Sequence, residues 1–160
     1  MTTSRSQHEL KKKRPFESPK EEAALSIVRT SDRMQICFAR LLREHGLTPS
    51  QYNVLRILRG EDKPLPILEI ASRTVAVVPG ITGLVDRLER AGFVNRLRCD
   101  KDRRVIYVAL TDQGIAALAG LDAPLEALHH KVLGQLSQTE LKDLIRLLEK
   151  IRESLLEAGA

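Results

Sequence analysis

The sequence is poor in aromatic and sulfur-containing residues. It has no tryptophan, two tyrosines and three phenylalanines, and its two cysteines, Cys37 and Cys99, lie far apart. This spacing does not match a metal-binding pair, and a structural disulfide is not expected in a reducing compartment. No apolar run approaches the ~20 residues of a membrane span, and the polar, basic N-terminus lacks the apolar stretch of a secretory signal. We therefore expect a cytoplasmic protein with no membrane segment, metal or cofactor.

Patterns typical of catalysis are also missing. The sequence shows no Ser/His/Asp set, no paired carboxylates and no glycine-rich phosphate loop, so we do not expect an enzyme. His129 and His130 are adjacent and do not match the i, i+4 pairing of helical metal sites. Cys37 lies among apolar residues of a predicted helix, which favours a buried core thiol over a redox sensor. Cys99 has no second cysteine near it in sequence.

Positive charge is concentrated in two segments of a chain whose formal net charge is +5. Residues 1–20 hold six basic and two acidic residues, and residues 73–104 hold eight basic and four acidic residues. Residues 21–72 are balanced, and residues 105–160 carry three more acidic than basic residues. This asymmetry suggests that one part of the molecule contacts a polyanion. For the tail at residues 1–19, which we expect to be flexible, solubilisation is an equally good explanation.

Hydrophobic periodicity predicts a mainly α protein that begins with two helices. The first runs from about Glu21 to His45 and is ended by Gly46. The second is opened by a capping box at Thr48 and Gln51. The following segment "GEDKPLP" is predicted to be a loop.

Two more short helices are predicted after that loop, followed by a β-hairpin. One covers about Pro66 to Arg73, and the other restarts at Pro79. The inward positions are Leu68, Ile70 and Ala71 in the first and Ile81, Leu84, Val85 and Leu88 in the second. A short run at residues 93–97 and a β-branched, alternating run at residues 105–108 form the strands of the hairpin, with a charged loop between them at the tip. This order of elements is that of a winged helix-turn-helix.

The last two predicted helices cover about residues 112–134 and the segment after a capping box at Ser137 and Glu140. The apolar stripe of the last helix is wider than one packing face requires. Because the chain offers no further helix to cover it, we expect a twofold dimer. Such a dimer sets two recognition helices about one DNA turn, ~34 Å, apart for a pseudo-palindromic site.

Burial of the apolar stripe after Pro79 turns the polar residues of that helix outward, where they can contact duplex DNA. The wing projects further cations, which suit phosphates at the edge of a minor groove. The candidate DNA contacts are Arg73, Pro79, Gly80, Thr82, Gly83, Arg87, Arg98, Lys101, Arg103 and Arg104. We expect Asp102 to orient Arg104. Taken alone, the hairpin is equally consistent with an ordinary solvated, charged turn.

The segments "LTPSQYNVLRIL", "EIASRT", "TGLVDRLERAGFVNR" and "DKDRRVIYVALTDQG" together resemble the MarR family of bacterial transcription regulators. The resemblance runs from about residue 21 to the C-terminus. It implies a homodimeric repressor, or occasionally an activator, with residues 47–111 as the winged helix-turn-helix. Residues 20–46 and 112–160 would then form the dimerisation region.

Many members of that family release DNA when a small aromatic or phenolic molecule binds between the two parts, and some others respond to oxidants. The resemblance places such a pocket where the first, second and fifth helices of the family meet. Phe38, His45 and Tyr52 are the candidates for it here, and each is also consistent with plain packing.

The sequence departs from the family pattern at the start of the recognition helix. Residues 75–78 offer no side-chain cap, and Gly83 stands where an arginine is common in the family. The departure predicts a weaker major-groove contribution, with backbone amides, Thr82 and the wing supplying more of the binding. It leaves two alternatives open, a winged-helix module that binds proteins and an architectural DNA binder of low specificity.

Overall fold

The computed structural model describes residues 5–9, 11, 13–61, 63–74, 80–98 and 105–159. The helices are α1 (Arg5–Glu9), α2 (Pro19–Glu44), α3 (Pro49–Glu61), α4 (Ile67–Ser72), α5 (Ile81–Arg90), α6 (Asp112–Leu133) and α7 (Gln138–Glu157). The strands are β1 (Leu65–Pro66), β2 (Val94–Arg98) and β3 (Ile106–Leu110). The predicted mainly α fold with a small β wing is confirmed. Two compact units are present, residues 1–119 and 120–160, and α6 contributes to both.

The helix starts follow the capping residues of the sequence. The backbone amide of Gln51 donates to Oγ1 of Thr48 at 3.3 Å, and the Thr48 amide donates to Oε1 of Gln51 at 2.9 Å. Ser137 and Glu140 form the same reciprocal pair at the start of α7. Both predicted capping boxes are confirmed. In the tail, α1 forms a five-residue helix, a length that is marginal without tertiary support.

The sheet has three antiparallel strands in the order β1-β3-β2. In the hairpin, Val94 lies opposite Leu110 and Arg98 opposite Ile106. The third strand corrects the prediction that residues 60–66 form only a loop, because Leu65 pairs with Val108 and is buried. A two-residue strand carries too little periodicity to be recognised from sequence.

The start of α6 is fixed to the turn before β2. Oγ1 of Thr111 donates to the carbonyl of Gly92 at 2.6 Å and accepts from the amide of Gly114 at 3.1 Å. A Cβ atom built at Gly114 would lie 2.2 Å from the carbonyl oxygen of Phe93. The close approach of these two backbones therefore requires glycine at position 114.

The core of the first unit is apolar and is built mainly by α3, α4, α5 and the sheet, with single leucines from α2, the α2–α3 loop and α6. Among the described residues of this unit, the core side chains that are at most 2 % exposed are Leu42, Leu47, Val54, Leu55, Leu58, Leu65, Ile70, Leu84, Val85, Leu88, Val94, Val108 and Leu118. No polar or charged residue of the described chain is fully buried. The winged helix-turn-helix elements therefore share one hydrophobic core.

Two sequence-based assignments to the core were wrong. Leu68 is 81 % exposed, whereas Ile70 is 0 % exposed. Two residues that are two positions apart on a helix face in nearly opposite directions, so Leu68 and Ile70 cannot both point inward. Cys37 is exposed rather than buried. It shares its helix face with the exposed Arg33 and Arg40, at i−4 and i+3.

The second unit comprises the later turns of α6 and all of α7. In α7 no residue is fully buried. Its exposed large apolar residues are Leu144, Ile145, Leu147, Ile151, Leu155 and Leu156. In the described part of the chain, no helix has the length and apolar character needed to cross a bilayer.

Candidate nucleic-acid interface

The recognition helix α5 begins without a side-chain cap. Gly80 precedes it in the left-handed region, with φ of 70° and ψ of 43°, and its carbonyl accepts from the amide of Leu84 at 3.1 Å. Glycine adopts this conformation at no steric cost. Gly80 therefore gives the first amides of α5 no side-chain cap, and the predicted cap-free residues 75–78 lie outside the described residues.

Helix α5 is strongly amphipathic. Leu84, Val85 and Leu88 are buried, and Ile81 is only half-buried, so three of the four residues predicted to face inward are fully buried. Their burial turns the polar positions outward. The residues on that outer side are Thr82, Arg87 and Arg90, which are exposed, and Gly83, which is half-buried. The helix thus presents a polar, cationic edge next to the hairpin.

Arg96 on β2 fastens the wing to α5. Its backbone amide donates to Oε1 of Glu89 at 3.0 Å, and its guanidinium donates to the other oxygen of Glu89 at 2.9 Å. The guanidinium also pairs with Asp86 and donates to the backbone carbonyl of Thr82 at 3.2 Å. A planar guanidinium can satisfy several acceptors in fixed geometry. One arginine of the wing therefore holds three positions of the recognition helix.

The surroundings of Arg96 favour its charged form. Burial lowers its pKa, but the hydrogen bonds and charges of Asp86 and Glu89 outweigh that effect, so the pKa is raised above its ordinary value. Its Nε atom is buried and has no hydrogen-bond partner among the residues that the structure describes. Sequence reasoning missed this residue as part of the site. The available signal was the i, i+3 spacing of Asp86 and Glu89, followed by an arginine after a tight turn.

Arg73 is exposed but already engaged. Its guanidinium forms ion pairs with Glu61 at the end of α3 and with Glu69 on α4. The hydrogen bond with Glu61 raises its pKa, burial opposes that effect, and the charges of Glu61 and Glu69 raise it further. A phosphate contact by Arg73 would therefore compete with two carboxylates of the same chain.

The wing carries its remaining described cation at the end of β2. Arg98 is exposed, lies opposite Ile106 and forms no ion pair with any described residue. Five further sequence-predicted residues lie outside the described residues. They are Pro79, Lys101, Asp102, Arg103 and Arg104. The structure thus brings together Thr82, Gly83, Arg87 and the base of the wing. The contacts proposed for the tip of the wing stay predictions from the sequence.

Of the residues predicted for an effector pocket, two lie on α2 and α3, and His45 follows the end of α2. Phe38 on α2 and Tyr52 on α3 are half-buried. His45 is exposed, and its Nδ1 lies 3.0 Å from the carbonyl oxygen of Leu41. A cavity of about 290 Å³ lies in the first unit, between the end of α3, the end of β3 and the start of α6. Its lining consists of Leu58, Arg59, Lys63, Pro64, Leu110 and Ile115.

Comparison with known proteins agrees with this arrangement. The model of the MarR family matches residues 47–106. An uncharacterized HTH-type transcriptional regulator, YkoM of Bacillus subtilis, is 38% identical over 111 residues, which cover 68% of this chain and 70% of that protein. A MarR transcription factor from Planctomyces limnophilus has a similar structure, with a TM-score of 0.66 and 41% identity over 84% of this chain and 98% of that one.

A third comparison concerns a regulator with a known ligand. BpsR of Bordetella bronchiseptica, whose DNA binding is regulated by 6-hydroxynicotinic acid, has a TM-score of 0.72 and 23% identity. The match covers 82% of this chain and 99% of that one. At this identity the likeness concerns the fold. The two more similar proteins and the family model decide the membership: the chain belongs to the MarR family of transcription regulators.

Proposed function

We propose that this DNA-binding regulator acts as a homodimeric repressor on pseudo-palindromic duplex DNA, with α5 in the major groove and the wing at the minor groove. The observation that carries the proposal is the arrangement around Arg96. Arg96 neutralises Asp86 and Glu89, so the exposed Arg87 and Arg90 project from α5 without a carboxylate partner among the described residues. Exposed cations without a carboxylate partner, placed along a helix edge, can contact the phosphate backbone of DNA.

The proposed contacts divide by chemistry. Phosphate contacts come from the wing cations and from the amides at the start of α5, while Thr82, Gly83 and Arg87 face base edges. The full proposed set is Arg73, Pro79, Gly80, Thr82, Gly83, Arg87, Arg98, Lys101, Arg103 and Arg104, with Asp102 orienting Arg104. Because Arg73 is held by Glu61 and Glu69, we place it last among the phosphate contacts.

We propose the dimer because α2 and α7 expose large apolar side chains in the single chain. In α7, Ile145, Ile151 and Leu155 are 55%, 41% and 50% exposed. In α2, Val28 is 66% exposed and Ile36 is 53% exposed. Exposed apolar stripes of this extent mark association surfaces in soluble proteins. We assign residues 20–46 and 112–160 to dimerisation and residues 47–111 to DNA reading.

The salt dependence of DNA affinity tests the proposal. We expect fluorescence anisotropy to show tight, salt-sensitive binding of the full chain to duplexes from its own upstream region. Arg98→Ala and Arg104→Ala should each weaken binding to most sequences and reduce the slope of log K against log salt by about one. Arg146→Ala on α7, whose arginine pairs with Asp143, is the matched control and should leave the slope unchanged.

The same titrations separate the alternatives. A winged-helix module that binds only proteins would show no salt-sensitive DNA binding. An architectural binder would bind random competitor DNA as tightly as the upstream duplex. Such a regulator works on the bacterial chromosome, so we place it in the cytoplasm. Its proposed role requires no catalytic group and no cofactor.

We further propose that a small aromatic anion binds in the cavity between α3, β3 and α6 and weakens DNA binding. The cavity is lined by the apolar side chains of Leu58, Leu110 and Ile115 and by the cations Arg59 and Lys63. A volume of about 290 Å³ lies at the small end of ligand pockets and suits a single ring. An effector of this kind typically shifts DNA affinity by ~1–3 kcal/mol.

Titration with benzoate and 6-hydroxynicotinate, followed by backbone amide NMR shifts, tests this site. We expect shifts centred on Leu58, Leu110 and Ile115 in the protein without DNA. Lys63→Gln should weaken the binding of both anions, and neutral benzamide should bind weakly throughout. Shifts centred on Phe38, His45 and Tyr52 would favour the pocket that the family resemblance predicts.

A further inference from the structure

We infer that Arg87 reads a guanine in the major groove from the surface position that Gly83 leaves empty, so that Arg87 is the specificity-determining residue of α5. The inference rests on the proposed DNA-binding function and assigns one side chain to base recognition. It also explains how α5 can discriminate sequence although position 83 carries no side chain.

The geometry at Gly83 is the first step. A Cβ atom built at Gly83 would lie 3.9 Å from Nη1 of Arg87, and apart from chain neighbours and the helix backbone no other atom of the described residues lies within 4 Å. Side chains on a helix lean toward its N-terminus, so a residue at i+4 covers the surface of residue i. The Arg87 guanidinium therefore lies over the start of the helix, the part that contacts base edges in helix-turn-helix proteins.

The charges along α5 are the second step. Residues three and four positions from Arg87 are Gly83, Leu84, Arg90 and Ala91, so α5 offers Arg87 no carboxylate at ion-pair spacing. The nearest acidic residues of the helix, Asp86 and Glu89, are both held by Arg96. Arg87 is exposed and has no ion pair within the described chain. Its guanidinium is therefore available to an acceptor outside the protein.

The chemistry of the guanidinium is the third step. Arginine can donate two parallel hydrogen bonds to O6 and N7 of guanine, and each such pair contributes about 5- to 150-fold discrimination against other bases. Arg90 lies almost one turn further along α5, away from the helix start. We assign Arg90 to a phosphate contact, which adds affinity without sequence information.

The test begins with selection of the preferred duplex from a random library by the wild-type dimer. Affinities are then measured for every single base change in one half-site. Arg87→Ala should lose about 5- to 150-fold discrimination at one G·C pair and keep the preference at the other positions. Arg87→Lys keeps the charge but not the paired donors, so it should lose the same discrimination while its salt slope stays that of the wild type.

Two further variants make the result specific. Gly83→Leu puts a side chain on the surface over which Arg87 lies, and leucine is a good helix former, so this variant should fold and still lose the same preference. Arg90→Ala is the matched control and should weaken all duplexes equally. Circular dichroism establishes that each variant retains its helices.

The outcomes are distinguishable. A wild type that binds no duplex in a salt-sensitive manner overturns the proposed function, and the inference falls with it. A wild type that selects a sequence, together with an Arg87→Lys variant that selects the same sequence with the same discrimination, overturns the inference alone. Uniform weakening of all duplexes by Arg87→Ala, like that from Arg90→Ala, also overturns it.

Discussion

Glu89 on α5 accepts hydrogen bonds from both the backbone amide and the guanidinium of Arg96 on β2, at 3.0 Å and 2.9 Å. The backbone bond fixes the strand, and the side-chain bond fixes the arginine. Together with the Asp86 ion pair, these contacts of Arg96 set the angle between the wing and the recognition helix. This angle decides whether both elements reach the same stretch of duplex.

We predict that Arg96→Ala lowers the free energy of unfolding by about 2 kcal/mol, because hydrogen bonds to charged groups contribute about 1.5–3 kcal/mol each and leave carboxylates unpaired when removed. The Arg96 side chain is only 21% exposed, so solvent screens these contacts only in part. Urea denaturation measures the change. Arg98→Ala, on the same strand but exposed, should change stability by less than about 0.5 kcal/mol. Equal effects from both substitutions would show that Arg96 does not fasten the wing.

A second prediction concerns two glycines of α6, Gly114 and Gly120. Substitution by alanine should lower the stability of the protein at the first and raise it at the second. Gly114→Ala should destabilise the protein by about 3 kcal/mol, because its Cβ would meet the Phe93 carbonyl at 2.2 Å and the two backbones must separate. Gly120→Ala is the same substitution on the same helix, and there the new Cβ would meet no described atom within 4 Å beyond chain neighbours and the helix backbone. It should stabilise the protein by about 0.5–1 kcal/mol, the usual helix gain. Thermal unfolding of the two variants side by side gives the comparison, and a shift of the same sign in both would contradict the prediction.

A third prediction concerns the apolar stripe of α7. Ile145→Asp should raise the dimer dissociation constant by at least about 10-fold, because the side chain is 55% exposed in the single chain and twofold symmetry counts it twice. Sedimentation equilibrium or light scattering after gel filtration measures the change. Lys150→Asp, on the opposite side of the helix, introduces the same residue and should leave the dimer intact. A monomeric wild type would remove the basis for this prediction.

A fourth prediction concerns acid. The backbone and side-chain hydrogen bonds from Ser137 hold the pKa of Glu140 below its ordinary value. A carboxyl with a depressed folded-state pKa contributes stability above its unfolded pKa and loses it as the pH falls through the folded pKa. We expect part of the stability of α7 to disappear below about pH 4.3, the ordinary value for glutamate. The Glu140→Gln variant should lack this pH-dependent contribution to stability. Urea midpoints measured across this pH range test the difference, and parallel profiles for the two proteins would refute the prediction.

Features set by neighbouring residues were predictable from the sequence. The capping boxes at Thr48 and Ser137 and the amphipathic pattern of α5 depend on contacts within a few positions, so their spacing alone indicates them. The wide apolar stripe of α7 was predicted for the same reason. These features account for the helices and for the order of elements that defines the winged helix-turn-helix.

Features set by tertiary contacts were not predictable. The role of Arg96 depends on β2 lying beside α5, and no local pattern states which carboxylates an arginine will meet. Leu68 was misassigned because a six-residue helix gives too few turns to fix its phase. The strand at residues 65–66 exists only because β3 offers it a partner. Cys37 was judged by its apolar neighbours in sequence rather than by the arginines on its own helix face.

Different residues of α5 hold the wing and face the DNA, and this separation has a consequence for how such proteins diverge. Arg96 engages Asp86, Glu89 and the Thr82 carbonyl, whereas the side chains at positions 82, 83 and 87 make none of these bonds. Mutation can therefore alter the latter group while the scaffold stays intact. A duplicated gene could drift to a new binding site in single steps, and a laboratory library confined to those three positions should yield retargeted variants that still fold.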